Sequence, residues 1–453
     1  MLVRDDTIAA LSTPAGRGAI AIVRLSGGDA HRIAARLVTP WPDAPRVVTR
    51  SLVRDDRDDS VIDQAMVTRF DAPRSYTGEP MVEIACHGGV AVSSAILEAL
   101  SRQGARSAEP GEFTQRAVLN GKMDLLQAEA VADLVDARTH ALRRTAVQQL
   151  DGGLTRTLRE LRERILHVEA LLAYDIDFPE EDDGPIARET IESAAREARA
   201  GIARLLATVP RGEIARDGAV VVIAGAPNAG KSSLFNALLG ETRAIVTEVP
   251  GTTRDAIEAR VESGRWPLRL VDTAGLRETR DVVERLGIEV SERHIRAAHI
   301  VLVCGETRAA IAEALSHVEA LGPAPRIAVL TKTDLAADDG GVAAGADATV
   351  AVSALHREGL DRLLGEVHAV LERQVGDVAP ELPVLTRERH RVALQTAHDE
   401  MDRFLAIWRT PMAPASVAAV HIRSATHALD ELIGNVDVDD VLDRVFRSFC
   451  VGK

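Results

Sequence analysis

"AVVVIAGAPNAGKSSLFNALLG", Ala219–Gly240, decides how the chain is read. Seven apolar or small residues, Ala219–Gly225, make an uninterrupted run of the kind a strand buried on both faces requires. Gly225, Gly230, Lys231 and Ser232 then fit the spacing GxxxxGK[ST], and "KSSLFNALLG" continues at helical period. A strand, a glycine-rich loop and a helix in that order turn backbone N–H groups of residues such as Ala229, Gly230 and Ser233 toward a phosphate chain at a helix N-terminus. Lys231 supplies the cation for the β and γ phosphates, and the Ser232 hydroxyl is a ligand for Mg²⁺. Asn228 is the odd letter, because the phosphate grip needs no side-chain amide there.

Further along, other apolar runs end in residues suited to a nucleotide. "WPLRLVDTAG" closes on Asp272, Thr273, Ala274 and Gly275, where an acid reaches Mg²⁺ through water and a glycine amide reaches the γ-phosphate. "RIAVLTKTD" closes on Thr331, Lys332, Thr333 and Asp334. The Asp334 carboxylate can accept from both guanine N1 and the exocyclic amine, a pattern adenine does not offer. "ATVAVSAL" closes on Ser353, Ala354 and Leu355, which suits a backbone contact to guanine O6. Four such stations at strand ends predict a GTPase on a doubly wound, mostly parallel sheet. Two departures stand out. The first residue of the guanine motif is Thr331 rather than Asn, which predicts weaker affinity with guanine choice retained. Leu276, directly after "DTAG", cannot orient an attacking water as a Gln there would.

Around this block the 453-residue chain changes character twice. Residues 1–119 mix β-rich runs, "AIAIVRLSGG" and "PMVEIACHGG", with short helical ones, predicting a small α+β domain. Residues 120–216 and 376–453 carry helical spacing, with Asp124 and Gln127 placed as a capping box and Gly152-Gly153 as a break. The expected fold is therefore an α/β P-loop GTPase domain, residues 217–375, inserted into an all-α helical domain and preceded by the α+β domain. The net charge of −14 argues against nonspecific coating of nucleic acid. Three widely spaced cysteines, Cys86, Cys304 and Cys450, exclude a disulfide framework or zinc pairs. No stretch approaches the roughly 18 unbroken apolar residues of a membrane span, and the start lacks signal-peptide anatomy, so a cytoplasmic protein without membrane contact is expected.

"PNAGKSSLFNALLG", "VTEVPGTTRD", "DTAGLRETRDVVERLGIE" and the terminal "FCVGK" together resemble the TrmE/MnmE tRNA-modification GTPases, of the TrmE-Era-EngA-YihA-septin-like class. The resemblance extends to "TIAALSTPAGRGAIAIVRLSG" and so covers essentially the whole chain. It implies that K⁺ sits where other GTPases receive an arginine. Asn228 matches the family's P-loop ligand for that ion, and Thr247, Val249 and Thr252 match the others. Glu248, Pro250 and Gly251 belong to the same nucleotide-contacting loop, and Thr253 matches the second Mg²⁺ ligand. Glu284 matches the catalytic glutamate, which fills the role Leu276 leaves vacant. Arg24, Glu79, Lys122 and Lys453 match positions that bind a tetrahydrofolate derivative; which residue holds which end of it stays open. Cys450 has two readings, a nucleophile or a small packed residue beside the folate.

The resemblance further implies a homodimer built through the N-terminal domain. It implies a heterotetramer with an FAD-dependent MnmG/GidA-type partner, and tRNA as substrate. The expected activity is GTP hydrolysis coupled to adding a (carboxymethyl)aminomethyl group to C5 of the wobble uridine, U34. The alternative is an Era/EngA-type ribosome-assembly GTPase that binds RNA without modifying it. A Lys-rich GxxG domain would mark that class, whereas the C-terminal block here is acidic helix.

Overall fold

The alternation in "IAIVRLS" builds the first sheet. Ala21, Val23 and Leu25 point to one face and Ile22, Arg24 and Ser26 to the other. This computed structural model describes residues 6–137, 139–177, 186–241, 243–245, 257–263, 266–272, 292–335, 342–375, 382–410, 414–434, 449 and 452. The chain divides into two compact units.

The first unit comprises Met1–Val135, Gln149–Glu163 and Thr426–Lys453. Its elements begin with β1 (Ile8–Leu11), β2 (Ile20–Ser26), α1 (Ala30–Ala35), β3 (Val38–Thr39), β4 (Thr49–Arg54) and β5 (Val61–Phe70). There follow β6 (Met81–His87), α2 (Val90–Arg102), β7 (Arg106–Ser107), α3 (Glu112–Leu119) and α4 (Leu125–Asp136). The sheet order is β3-β4-β5-β6-β2-β1-β7. One face packs Val23, Leu25 and Ile84 against Ile33 of α1 and Ile96 and Leu100 of α2. On the other, Ile8 and Ala10 meet Phe113 of α3 and Tyr76. The capping box forms as its spacing predicts. The Asp124 amide donates to Gln127 Oε1 at 3.0 Å, and the Gln127 amide donates to Asp124 Oδ1 at 2.9 Å. Two such reciprocal bonds satisfy donors a helix start would otherwise orphan.

The second unit comprises Asp136–Gln148 and Arg164–Ala425. α5 (His140–Leu150) and α6 (Gly153–Asp177) have residues in both units, and α7 (Arg188–Leu206) and α8 (Val209–Asp217) precede the sheet. Gly152, in the left-handed region at φ 77°, separates α5 from α6, at the break the glycine pair predicts. The sheet itself is β8 (Ala219–Gly225), β9 (Arg243–Ile245), β10 (Ile257–Ser263), β11 (Trp266–Asp272), β12 (Ile300–Gly305), β13 (Arg326–Leu330) and β14 (Ala348–Ala351). Interleaved are α9 (Lys231–Glu241), α10 (Arg308–Glu319) and α11 (Leu360–Val375), with α12 (Glu388–Arg409) and α13 (Ala415–Ile433) following.

Strand order is β14-β13-β12-β8-β11-β10-β9. The strands from β14 to β11 are mutually parallel, and β10 and β9 add antiparallel. Both faces are covered. Val221, Ile223, Leu302 and Val329 pack on Leu234, Leu238, Leu363 and Val367, while Val220, Val222, Val301 and Val303 pack on Ile311 and Leu315. That two-sided burial explains why these strands read as unbroken apolar runs. The chain leaves β8 toward β11 on one side and returns to β12 on the other, so the crevice at the C-terminal end of β8 is the switch point where such sheets bind ligands. No helix among the described residues is long and apolar enough to cross a membrane.

Candidate nucleotide site and a second polar site

The loop after β8 is shaped by close backbone approach. Gly225 has φ 143°, and a Cβ there would stand 2.3 Å from the Cys304 carbonyl oxygen. Only glycine fits between β8 and β12 at that point. Asn228 is left-handed too, at φ 61°, a conformation Asn tolerates better than most side chains. It is exposed, and among the described residues its amide makes no hydrogen bond, so the side chain is not spent on its own loop.

Lys231 is buried and folds back over the loop, its Nζ donating to the carbonyls of Gly225 at 3.0 Å and Ala226 at 2.7 Å. Ser232 Oγ donates to Asp272 Oδ2 at 2.8 Å. A hydroxyl from the first turn of α9 and a buried carboxylate from the end of β11 therefore share one point beside the loop. Hard oxygen donors of this kind suit Mg²⁺. Ala229 is buried, and Ser233 is exposed on the first turn of α9.

Thr331 ties the base end to the phosphate end. Its Oγ1 donates to Ala229 O at 2.9 Å or Gly305 O at 3.2 Å, and its amide donates to Gly305 O at 2.9 Å. One hydroxyl proton serves two carbonyls, where an Asn amide would offer two. Lys332, at φ 57°, pairs with Glu306 beside the end of β12; Thr333 is half-buried beside it. Ser353, fully buried after β14, donates its hydroxyl to Asp334 Oδ1 at 2.8 Å. That bond, followed by backbone hydrogen bonding, holds the exposed Asp334 carboxyl below its ordinary range. The Ser353 amide and carbonyl are both exchanged with Glu358. Leu355 is 77% exposed at the rim.

Thr247, Glu248, Val249, Pro250, Gly251, Thr252, Thr253, Thr273, Ala274, Gly275, Glu284, Cys450 and Lys453 lie outside the described residues.

In the first unit Arg24, Glu79 and Lys122 gather around the loop 73–79. Arg24 stands opposite Glu83 on β6 and donates Nε and Nη2 to its Oε1 at 3.0 and 2.8 Å. Its guanidinium lies between the rings of Tyr76 and Phe113, 5.4 and 5.6 Å from their centres. Lys122 Nζ donates to Pro73 O at 2.9 Å. Glu79 Oε2 accepts from Ser26 Oγ at 2.8 Å. A carboxylate for an aminopteridine, two cations for an acidic tail and aromatic walls make a donor set that fits a folate.

Sequence reading missed the ion cluster behind this site. Arg116, in α3, donates to the Asp6 carboxylate at 2.6 Å, the Asp6 carbonyl at 2.8 Å and Glu112 at 3.0 Å, and approaches both Glu79 oxygens at 3.4 Å. Arg106 pairs with the same Asp6 and Glu112, at 2.7 and 2.6 Å. These pairings hold Arg106 above and Asp6 below their ordinary ranges. Glu112 also lies below its range, although its burial opposes this. The helical i, i+4 spacing of Glu112 and Arg116 was the one signal available in sequence.

Two described residues near the end of the chain make contacts in the same unit. Phe449 packs with Leu125 and Ala128. Ser12 Oγ donates to the Gly452 carbonyl at 2.9 Å. Gly452 has φ 96°, and a Cβ there would lie 2.2 Å from the Leu11 carbonyl oxygen, so this contact admits glycine alone.

A glycine-rich loop at the switch point, a hydroxyl–carboxylate pair beside it and an aspartate steadied by serine at the base end define a P-loop protein of the GTPase class. Residues 125–450 match the MnmE helical domain family, and residues 7–122 match the GTP-binding protein TrmE N-terminus. The chain belongs to the MnmE family of tRNA modification GTPases. The tRNA modification GTPase MnmE of Moorella thermoacetica is 41% identical over 463 residues, covering 99% of this chain and 100% of its own. That of Methylobacterium radiotolerans is 43% identical over 454 residues, covering 99% of each. That of Aquifex aeolicus is 39% identical over 450 residues, covering 99% of this chain and 100% of its own.

Proposed function

We propose that the chain hydrolyses GTP and that hydrolysis serves tRNA modification. The observation that carries this is the meeting of Lys231, Ser232, Asp272, Thr331, Asp334 and Ser353 at the C-terminal ends of parallel strands, in a chain whose relatives are named for that activity. Lys231 leaves its loop carbonyls to neutralise the β and γ phosphates. Ser232 and Thr253, with Asp272 acting through water, would hold Mg²⁺, which would supply charge neutralisation at the phosphates. Asp334, aimed by Ser353, accepts from the guanine N1 and amine. The Ser353 amide is committed to Glu358, so the O6 contact falls to Ala354. Asn228, whose amide is unspent among the described residues, would with Thr247, Val249 and Thr252 hold K⁺, which would supply the cation a GTPase otherwise takes from an arginine. Glu284 orients the attacking water.

The finer activity follows in the same terms. Residues 1–119 carry folate binding and homodimerisation, residues 120–216 with 376–453 the helical domain, and residues 217–375 the G domain. A tetrahydrofolate derivative held by Arg24, Glu79, Lys122 and Lys453 supplies one carbon. Acting with an FAD-dependent MnmG/GidA-type partner in a cytoplasmic heterotetramer, the enzyme adds a (carboxymethyl)aminomethyl group to C5 of U34. Nucleoside analysis of tRNA from a deletion strain tests this. Loss of the C5-modified uridine, restored by the wild-type gene, is expected; an unchanged nucleoside profile with defective ribosome assembly overturns it.

A further inference from the structure

Among the described residues, the partly buried ion cluster of the first unit is not electrically balanced. Three carboxylates, Asp6, Glu79 and Glu112, face two guanidiniums, Arg106 and Arg116. Every short bond between these guanidiniums and carboxylates goes to Asp6 or Glu112, at 2.6 to 3.1 Å, while Glu79 receives Arg116 only at 3.4 Å. Glu79 is therefore the least tightly paired of the three carboxylates. A second restraint comes from the other side. The single Ser26 proton goes to Glu79, so Thr77 donates its own to Ser26 across 2.6 Å, and both hydroxyls are fully buried. Thr77 Oγ1 in turn accepts from the Glu79 amide at 3.3 Å. Glu79 is thus steered by Arg116 and Ser26, and among the described residues its carboxylate keeps acceptor positions for a donor pair from a ligand.

We infer, resting on the folate reading proposed above, that Arg116 is a positioning residue that aims Glu79 at the paired N–H donors of the aminopteridine. Arg116 is 8% exposed and is itself fixed by Asp6 and Glu112, so it acts as a rigid back wall for Glu79. Its planar fork spans Asp6, Glu112 and Glu79 at once, which the point charge of a lysine does not. Ser26 supports the same carboxylate from the opposite side.

The test is tetrahydrofolate binding to the full-length protein by calorimetry, beside binding of the analogue lacking the 2-amino group. Wild type should bind tetrahydrofolate and discriminate strongly against the analogue, because a site built for a donor rejects a ligand without it. Arg116→Lys keeps a cation against the buried Glu112 and so keeps the fold. It should weaken tetrahydrofolate by about tenfold, the scale of one charged hydrogen bond, and shrink the discrimination by a similar factor. GTP hydrolysis should stay unchanged. Ser26→Ala, a smaller change, should move the same ratio in the same direction. A merely structural Arg116 would lower both affinities together and leave their ratio alone, which overturns the inference. Equal affinity in wild type and Arg116→Lys also overturns it and leaves the folate reading standing. Failure of wild type to bind tetrahydrofolate overturns the folate reading, and the role of Arg116 falls with it.

Discussion

In the central sheet, Lys231, Ser232, Asp272, Thr331 and Ser353 each stand at or just past the end of a parallel strand, and mostly backbone and short side chains do the gripping. In the N-terminal sheet, Asp6, Arg24, Glu79, Arg106, Glu112 and Arg116 come from separate strands, a loop and a helix, and long charged side chains do the gripping. The first site repeats a local order, strand then loop, at successive positions along the chain. The second exists only once the sheet has paired β1 with β2 and β7 and packed α3 across one face. A site of the first kind takes its parts from short segments at strand ends. One of the second kind fails when any one anchor is removed, because a buried charge loses its partner.

The sharpest way to break this contrast is at the tail. Deleting residues 450–453 removes Cys450, Lys453 and the Gly452 contact with Ser12. Modified wobble uridine should vanish from the tRNA of the variant strain, while GTP hydrolysis by the purified protein stays near wild type. Normal modification in that strain would show the two sites do not divide the work. Next in size, Glu284→Ala should lower kcat by about two orders of magnitude, the usual scale for a positioned acid–base group. GTP affinity should hardly move, and an effect confined to KM would reduce Glu284 to a structural charge. Asn228→Ala should then abolish stimulation by K⁺. In wild type, hydrolysis should be fast in K⁺, similar in Rb⁺ and slow in Na⁺, since fixed neutral oxygens select by ionic size. Equal rates in Na⁺ and K⁺ at matched ionic strength would return Asn228 to its backbone role at φ 61°.

A smaller effect sharpens the comparison from within the nucleotide site. Thr331→Val removes the hydroxyl that bonds Ala229 O and leaves the backbone bond to Gly305 intact. GTP affinity should fall by about tenfold, the worth of one hydrogen bond. GTP should still be preferred over ATP, because Asp334 keeps its Ser353 partner. Loss of base choice in that variant would place guanine recognition elsewhere. The smallest expected effect is none. Burial pushes the Cys304 thiol up to about 12 and raises Cys86, with Asp63 adding to the latter. Both therefore stay protonated at neutral pH, and iodoacetamide at pH 7.5 should label neither in the native protein and both in urea. Mass mapping of a native protein modified at Cys304 would show that the central sheet opens.

How far the sequence reached differs between the two regions for the same reason. The continuous apolar run "AVVVIAG" announced a strand covered on both faces, because each successive residue meets a helix layer whichever way it points. The P-loop, "TKTD" and "SAL" were legible because each acts within a few residues of its own strand. The capping box of Asp124 and Gln127 was equally local. Arg24, Glu79 and Lys122 were found through likeness alone, and Arg116 was not found at all. A lone charge in sequence has no direction, and the partner of Arg116 at Asp6 lies 110 positions away.

By itself, then, the sequence determined the order of elements and the phosphate loop, which follow from periodicity and contiguous spacing, and the family, which follows from likeness along the whole chain. Tertiary structure alone decided which charges meet. Pairing β2 with β6 sets Arg24 opposite Glu83, and packing α3 over β1 carries Arg116 to Asp6 and Glu79. It also decided that Gly452 must be glycine, because only the folded chain brings the Leu11 carbonyl to 2.2 Å from where its side chain would begin. Contacts between distant residues carry no local signature, since the chain between them can take any course until the sheet closes.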